Sequence, residues 1–280
     1  MIELRKDIFP SQETLNRLQE YQDEIDILPT FPERSLRAKE LFSRRNRKSN
    51  SVFNEVKARI SELCNNTRRC VYCEDSLADE IEHIFPKDLY PEKCFQWENY
   101  LYACGQCNRT KNNQFAIFRN DNGEFQAVNP PHGIAAMEPP PPGIPAFINP
   151  REENPMDFCI LDLSGTFKFV VFNSIHEEDK IKAEYTFNTV LRLNEVEREP
   201  IRQARENAYS QYRARFFEFV SKKRIGESEE KLKKMIDSIK NESHTTVWKE
   251  MQRYHLNGWL EKIDPDLDDL FISEPEALSW

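Results

Sequence analysis

CVYCEDSLADEIEHIFPKDLYPEKCFQWENYLYACGQCNRTK, residues 70–111, opens on one C-x-x-C pair and closes on another. The pairs are Cys70 with Cys73 and Cys104 with Cys107, with 30 residues between Cys73 and Cys104. Four thiolates close a tetrahedral zinc site, with Zn–S distances of about 2.3 Å. Such a site staples together the ends of an insert that has little core of its own. The pairs read as symmetrical knuckles, which favours zinc over an iron–sulfur cluster. A site closed by four cysteines has no open position, so its ion is structural and not the catalyst.

Compartment bears on this reading. The chain begins MIELRKDIFP, with no apolar core of the kind a signal peptide carries. No apolar run approaches the roughly 20 residues needed to cross a bilayer. The expected location is the cytoplasm, with no membrane partner, and there paired C-x-x-C units read as metal ligands rather than disulfides. Of the seven cysteines, Cys64, Cys94 and Cys159 are left over and read as ordinary thiols.

Inside the staple stands Glu82-His83, and Asn108 directly follows the last cysteine of the frame. A lone histidine is usually a satisfied core or surface residue, but here the metal draws the two ends of the insert together. That allows a second site built from Glu82, His83 and Asn108.

The order C-x2-C…E-H-I-x-P-K…W-x-N…A-C-x-x-C-N-x-x-K resembles the HNH endonucleases of the ββα-metal fold in their zinc-stapled form, over residues 70 to about 118. The first His of that motif falls on His83 and the middle Asn on Asn99, while Asn108 takes the place of the final His. The resemblance implies phosphodiester hydrolysis leaving a 5′ phosphate and a 3′ hydroxyl. In that scheme His83 is the general base, and a divalent cation, Mg2+ or Mn2+, sits between the hard oxygens of Glu82 and Asn108. Asn99 bonds across the loop to orient His83, or serves as a turn cap. Lys111 touches a phosphate or forms a surface salt bridge, and Trp97 reads as core more than as a base-stacking platform. DNA is the usual family substrate, and nothing in the chemistry excludes RNA. A fainter likeness over NPREENPMDFCILDLSGTFKF (149–169), YTFNTVLRLN (185–194) and the Arg-rich segment after it is to the tail of HNH proteins linked to retrons and Septu antiphage systems. It implies an effector nuclease in bacterial defence that partners an ATPase. The competing reading is a zinc-knuckle module that binds nucleic acid or serves assembly without catalysis; such a module needs neither Glu82 nor His83.

Outside the staple, charge is uneven. Net charge is -9, yet residues 34–59 hold nine basic and two acidic side chains, a local +7 that leaves -16 for the remainder. Arg44, Arg45, Arg47 and Lys48 are the candidates for a phosphate-facing surface, and a solvated helix face is the alternative. Residues 11–28 have helical periodicity with Ser11 as N-cap, and Val52, Val56, Ile60 and Leu63 form a second stripe. Nine prolines fall in residues 129–155, which reads as an extended connector wrapping along a surface. DFCILDLSGTFKFVVF (157–172) has two apolar runs around Ser164-Gly165, a hairpin signal. Helical periodicity returns from about 176 to 261, with Ala204, Ala208, Tyr212 and Phe216 on one face, and the acidic end is expected to be loosely attached. The expected fold is therefore mainly α with a small zinc-stapled ββα-metal module and one β-hairpin near 157–172. Its parts are an N-terminal helical region (1–64), the nuclease module (65–128), the proline-rich connector (129–156), and the hairpin with the C-terminal helices (157–280).

Overall fold

A computed structural model describes residues 1, 4–64, 68–129 and 136–280. The chain starts with three capped helices. Ser11 accepts from Thr14 N and opens α1 (Gln12–Asp26); Asn50 accepts from Val52 N and opens α3 (Ser51–Leu63). Between them, α2 (Phe31–Arg45) begins at Thr30, whose N–H is held by Glu33 (3.2 Å), with Pro32 in the first turn. Proline is tolerated there because that N–H has no helical partner anyway. Each helix buries one stripe: Leu18, Tyr21 and Ile25; Ala38, Leu41 and Phe42; Phe53, Val56, Ile60 and Leu63.

These stripes close over the cysteine segment. Strand β1 (Glu80–His83) pairs antiparallel with β2 (Tyr100–Ala103), Glu80 opposite Ala103 and His83 opposite Tyr100. Helix α4 (Gly105–Lys111) follows at once, its start capped by the Cys104 sulfur, which accepts from Cys107 N. The first cysteine pair folds back against the far end of the ribbon, through Val71 N to Tyr102 O and Asp79 N to Ala103 O. Strand, strand and short helix are thus contiguous and share the knuckles at one end.

Strands β3 (Ala116–Arg119), β4 (Phe125–Ala127) and β5 (Gly143–Pro145) form a second sheet in the order β4-β3-β5. Strand β5 lies in the proline-rich connector. Pro145 fits on that sheet edge because no outer strand needs its missing N–H. Gly143 is required by closeness: a Cβ there would meet Phe118 O at 2.6 Å. The expectation of a surface wrap holds only in part, since Ala146, Phe147 and Ile148 are buried in the core. The apolar triplet after the prolines outweighs their preference for solvent.

Strands β6 (Cys159–Leu161) and β7 (Phe169–Val171) make the antiparallel hairpin, Leu161 opposite Phe169. Then come α5 (Glu177–Glu184), continued by a wider turn over Tyr185–Val190, the long α6 (Glu199–Arg224), α7 (Glu229–Lys240), α8 (Thr245–Leu256), α9 (Leu260–Ile263) and α10 (Pro265–Ser273). The architecture is mainly helical with three small sheets among the described residues. One connected cluster of buried apolar side chains runs from Leu18 through Tyr100 and Phe147 to Phe271.

The acidic end is not loose. Leu267, Phe271 and Ala277 are buried, and the Trp280 ring lies 4.9 Å from that of Phe219. Lys223 reaches Glu276 at 2.6 Å and also bonds Glu274. Sparse large apolar residues anchor a segment whose composition is dominated by acids. Among the described residues, no helix is long and apolar enough to cross a membrane.

Candidate functional site

The four cysteines converge. The sulfurs of Cys70, Cys73, Cys104 and Cys107 all lie within 4.8 Å of one another, and each residue is buried. Cys73 and Cys104 sulfurs are 3.9 Å apart, close to the roughly 3.8 Å that a tetrahedron with Zn–S of about 2.3 Å sets between its corners. No disulfide links any of the seven cysteines. The donor set and its spacing fit zinc: four soft sulfurs, all buried and all within 4.8 Å of one another. Cys64, Cys94 and Cys159 are buried single thiols away from this cluster.

His83 ends β1 in an aromatic cage. Its ring centroid lies 4.5 Å from Phe42 of α2 and 5.3 Å from Tyr100 of β2, both edge-on. Nε2 is 3.0 Å from the Cys94 carbonyl. A carbonyl only accepts, so Nε2 carries the proton and the neutral ring keeps its lone pair on Nδ1. Burial holds this imidazole well below its usual range, with Lys87 adding to the effect. The ring is therefore neutral, with one defined basic atom.

Asn99 braces the loop that supplies that carbonyl. Its side chain accepts from Phe85 N (2.7 Å) and donates to Phe85 O (3.0 Å) and Lys93 O (2.8 Å). Phe85 is two residues after His83, and Lys93 is next to Cys94. Truncation to alanine strands these loop groups in a buried setting. We expect Asn99→Ala to lower unfolding free energy by about 1–3 kcal/mol; urea denaturation followed by circular dichroism checks it. An unshifted midpoint would mean the three bonds are replaced by water.

The acidic part of the site is arranged differently from the sequence expectation. Glu82 is 4 % exposed and its Oε1 lies 2.7 Å from Lys111 Nζ, with Lys111 0 % exposed. Lys111 Nζ also donates to the His83 carbonyl at 2.8 Å. Burial pushes the Glu82 carboxyl up and the Lys111 ammonium down, each opposed by attraction to the other. Lys111 is thus neither a phosphate contact nor part of a surface bridge. Its position four residues after Cys107 turns it inward, onto the strand. Asn108 Nδ2 bonds Glu80 Oε2 at 2.5 Å, so the structure brings Asn108 to Glu80 rather than directly to Glu82. Glu80 was missed in the sequence, although strand periodicity places it on the same face as Glu82, two residues away.

Glu80, Glu82, His83 and Asn108 line one open groove of about 780 Å³. Its basic lining residues are Lys57 of α3, Lys87 and Arg109, and the N-terminal helices also contribute Phe42 and Asn46. Of the four basic candidates, none is among these lining residues. Arg45 is engaged elsewhere, 3.0 Å from Glu24 and stacked 4.3 Å over the Tyr21 ring. Arg44 lies 3.7 Å from the same Glu24, while Arg47 and Lys48 are exposed. Lys57 of α3, not the Arg-Arg-x-Arg-Lys run, lines the site. Burial pulls the Lys57 ammonium down, and repulsion from Lys48 adds to it. Trp97 is core: it is buried, with the Arg151 guanidinium 4.5 Å over its ring.

No family model matches the chain, and no solved structure matches it. Among curated proteins it is similar to the Septu protein PtuB of Bacillus thuringiensis, at 41% identity over 69 residues. That match takes in 22% of this chain and 26% of the relative, so the chain spans about a quarter of the length of the curated protein it matches. The chain is thus a mainly helical protein with a four-cysteine cluster and a partial likeness to a component of a Septu system.

Proposed function

We propose that the protein is a metal-dependent HNH-type endonuclease that hydrolyses phosphodiester bonds, with DNA as its substrate, and that it acts as the effector of an antiphage system. The observation that carries this reading is the His83 arrangement. A buried imidazole with Nε2–H fixed on the Cys94 carbonyl leaves the ring neutral with its lone pair on Nδ1, and it lines a groove together with Glu82 and Asn108. Contiguous strand, strand and helix with Asn99 bracing the loop add support, as does the partial likeness to PtuB.

In this reading His83 Nδ1 takes the proton of the attacking water. Asn99 is a positioning residue that holds the loop from which Cys94 orients the ring. Glu82 and Asn108 would hold the catalytic cation: both line the groove and both offer hard oxygens, and the ion would displace the Lys111 ammonium now 2.7 Å from Glu82 Oε1. When bound, Mg2+ or Mn2+ supplies counter-charge for the phosphoryl oxygens and the leaving 3′ oxygen. Zinc at the cysteines is structural and fixes α4, and with it Asn108, against β1.

Lys57, Lys87 and Arg109 are the phosphate contacts this groove offers. Each phosphate contact on duplex DNA contributes close to one unit to the slope of log affinity against log salt. We expect Lys57→Ala to weaken duplex binding and lower that slope by about 1, measured by fluorescence anisotropy across a salt series. An unchanged slope would remove Lys57 from the interface.

We infer an ATPase partner; the partial likeness to PtuB supports a partner within a defence system. Charge agrees with a need for one: outside the +7 segment the chain carries -16, which repels a duplex over most of its surface. The lone chain is expected to bind and cleave duplex weakly, and submicromolar binding with multiple turnover at physiological salt would make the partner unnecessary. The second reading, a zinc module that binds or assembles without cleaving, is favoured by one observation, the Lys111 ammonium seated on Glu82. Such a module loses nothing in function when His83 is replaced.

A further inference from the structure

Arg198 precedes α6 and is 4 % exposed, yet it takes part in no ion pair with a carboxylate among the described residues. Its Nη2 lies 3.8 Å from Cys107 Sγ, 3.3 Å from Thr110 Oγ1 and 3.4 Å from Leu191 O. Nη1 is buried with no hydrogen-bond partner at all. A guanidinium stays charged in proteins, and burying that charge without a counter-ion is costly. Four thiolates around one divalent cation carry two net negative charges, and burying those is costly too. Each burial becomes tolerable only in the presence of the other.

We propose that Arg198 is the buried counter-charge of the four-cysteine centre. Its N–H donates to the Cys107 thiolate, and so it fastens the C-terminal helices to the metal site. This rests on the reading that the four cysteines bind a metal. Arg205 is a second buried guanidinium of this segment. Seven residues on, it falls on the same helix face, is also buried without a carboxylate in an ion pair, and stacks 4.4 Å over the Phe169 ring while donating to Phe167 O. Two buried guanidiniums thus enter the core, one just before α6 and one within it. Through Arg198 the same guanidinium holds Thr110 of α4 and the Leu191 carbonyl, so metal loading and the docking of α6 become coupled events.

The test uses the full chain with zinc exchanged for Co2+, whose sulfur-to-metal charge-transfer band reports on the thiolates. Arg198→Met removes the donor, and Arg198→Lys keeps charge but loses the planar fork. A thiolate that loses a charged N–H donor gives up electron density more easily, so the band moves to lower energy in Arg198→Met and less far in Arg198→Lys. Chelator-driven metal release becomes about tenfold faster or more, the range seen when partners of metal ligands are removed. A role confined to packing would change stability and leave the band in place. Should Arg198→Met fail to fold, Arg198→Lys is read by the same band. A cobalt-loaded wild type whose band is unmoved in the folded variants overturns this inference alone. A wild-type chain that takes up no cobalt overturns the metal reading, and this inference with it.

Discussion

Replacing Cys104 with serine empties the four-cysteine site and unfolds at least the segment it staples. Elemental analysis of the wild-type chain is expected to give about one zinc per molecule, and of Cys104→Ser, none. The effect is large because Cys104 has two jobs. Its sulfur is one of four corners of the cluster, and it also accepts the Cys107 N–H that begins α4. Structural zinc contributes apparent binding free energies of about 10–16 kcal/mol to small folded units, comparable to the total stability of a whole domain. Loss of the ion removes the tie between the knuckles, and with it the position of Asn108 relative to β1. Circular dichroism should show the loss of structure, and chelation of the wild type should reproduce it. An active, folded preparation with no zinc would sink the assignment.

The second large effect is chemical rather than structural. His83→Ala should lower metal-dependent DNA cleavage by about 10²–10⁴-fold, the usual contribution of a positioned general base. Zinc content and circular dichroism should scarcely change. The Cys94 carbonyl keeps a donor when the imidazole goes, because the Tyr100 hydroxyl also bonds it at 2.9 Å. The cavity left between Phe42 and Tyr100 weakens packing without leaving a polar group orphaned. A level of EDTA that spares the zinc should stop wild-type turnover, and Mg2+ or Mn2+ should restore it. Cleavage by His83→Ala at the wild-type rate would contradict the role given to this ring, and would favour the binding-module reading.

Much of this was legible before any coordinates, and the reasons are physical. Two C-x-x-C pairs state their geometry outright, because sulfur spacing around an ion admits few solutions. Helix caps such as Ser11 and the Ser164-Gly165 turn are local signals, readable from a few residues. The less legible features depend on which way a side chain faces when distant segments meet. Lys111 reads as solvent-exposed by type, yet its place on α4 turns it under β1. The basic run at 44–48 is conspicuous in the sequence, but Glu24, twenty residues earlier, holds Arg45, and a single lysine on the next helix turns toward the groove. The end of the chain looked loose because acids outnumber apolar residues there, and composition averages away the anchoring of Trp280, Phe271 and Leu267. Glu80 was within reach: alternation along a strand pairs it with Glu82, and the Asn108 bond follows from the staple.

Glu82 and Lys111 form a closed ion pair inside the fold. A carboxylate that meets its own ammonium inside the fold is already neutralised, with the two groups 2.7 Å apart. Any divalent ion seated on Glu82 competes with an internal one, attached by a four-carbon tether and never diluted. In the proposed nuclease, loading the site is thus an exchange of cations rather than a simple addition.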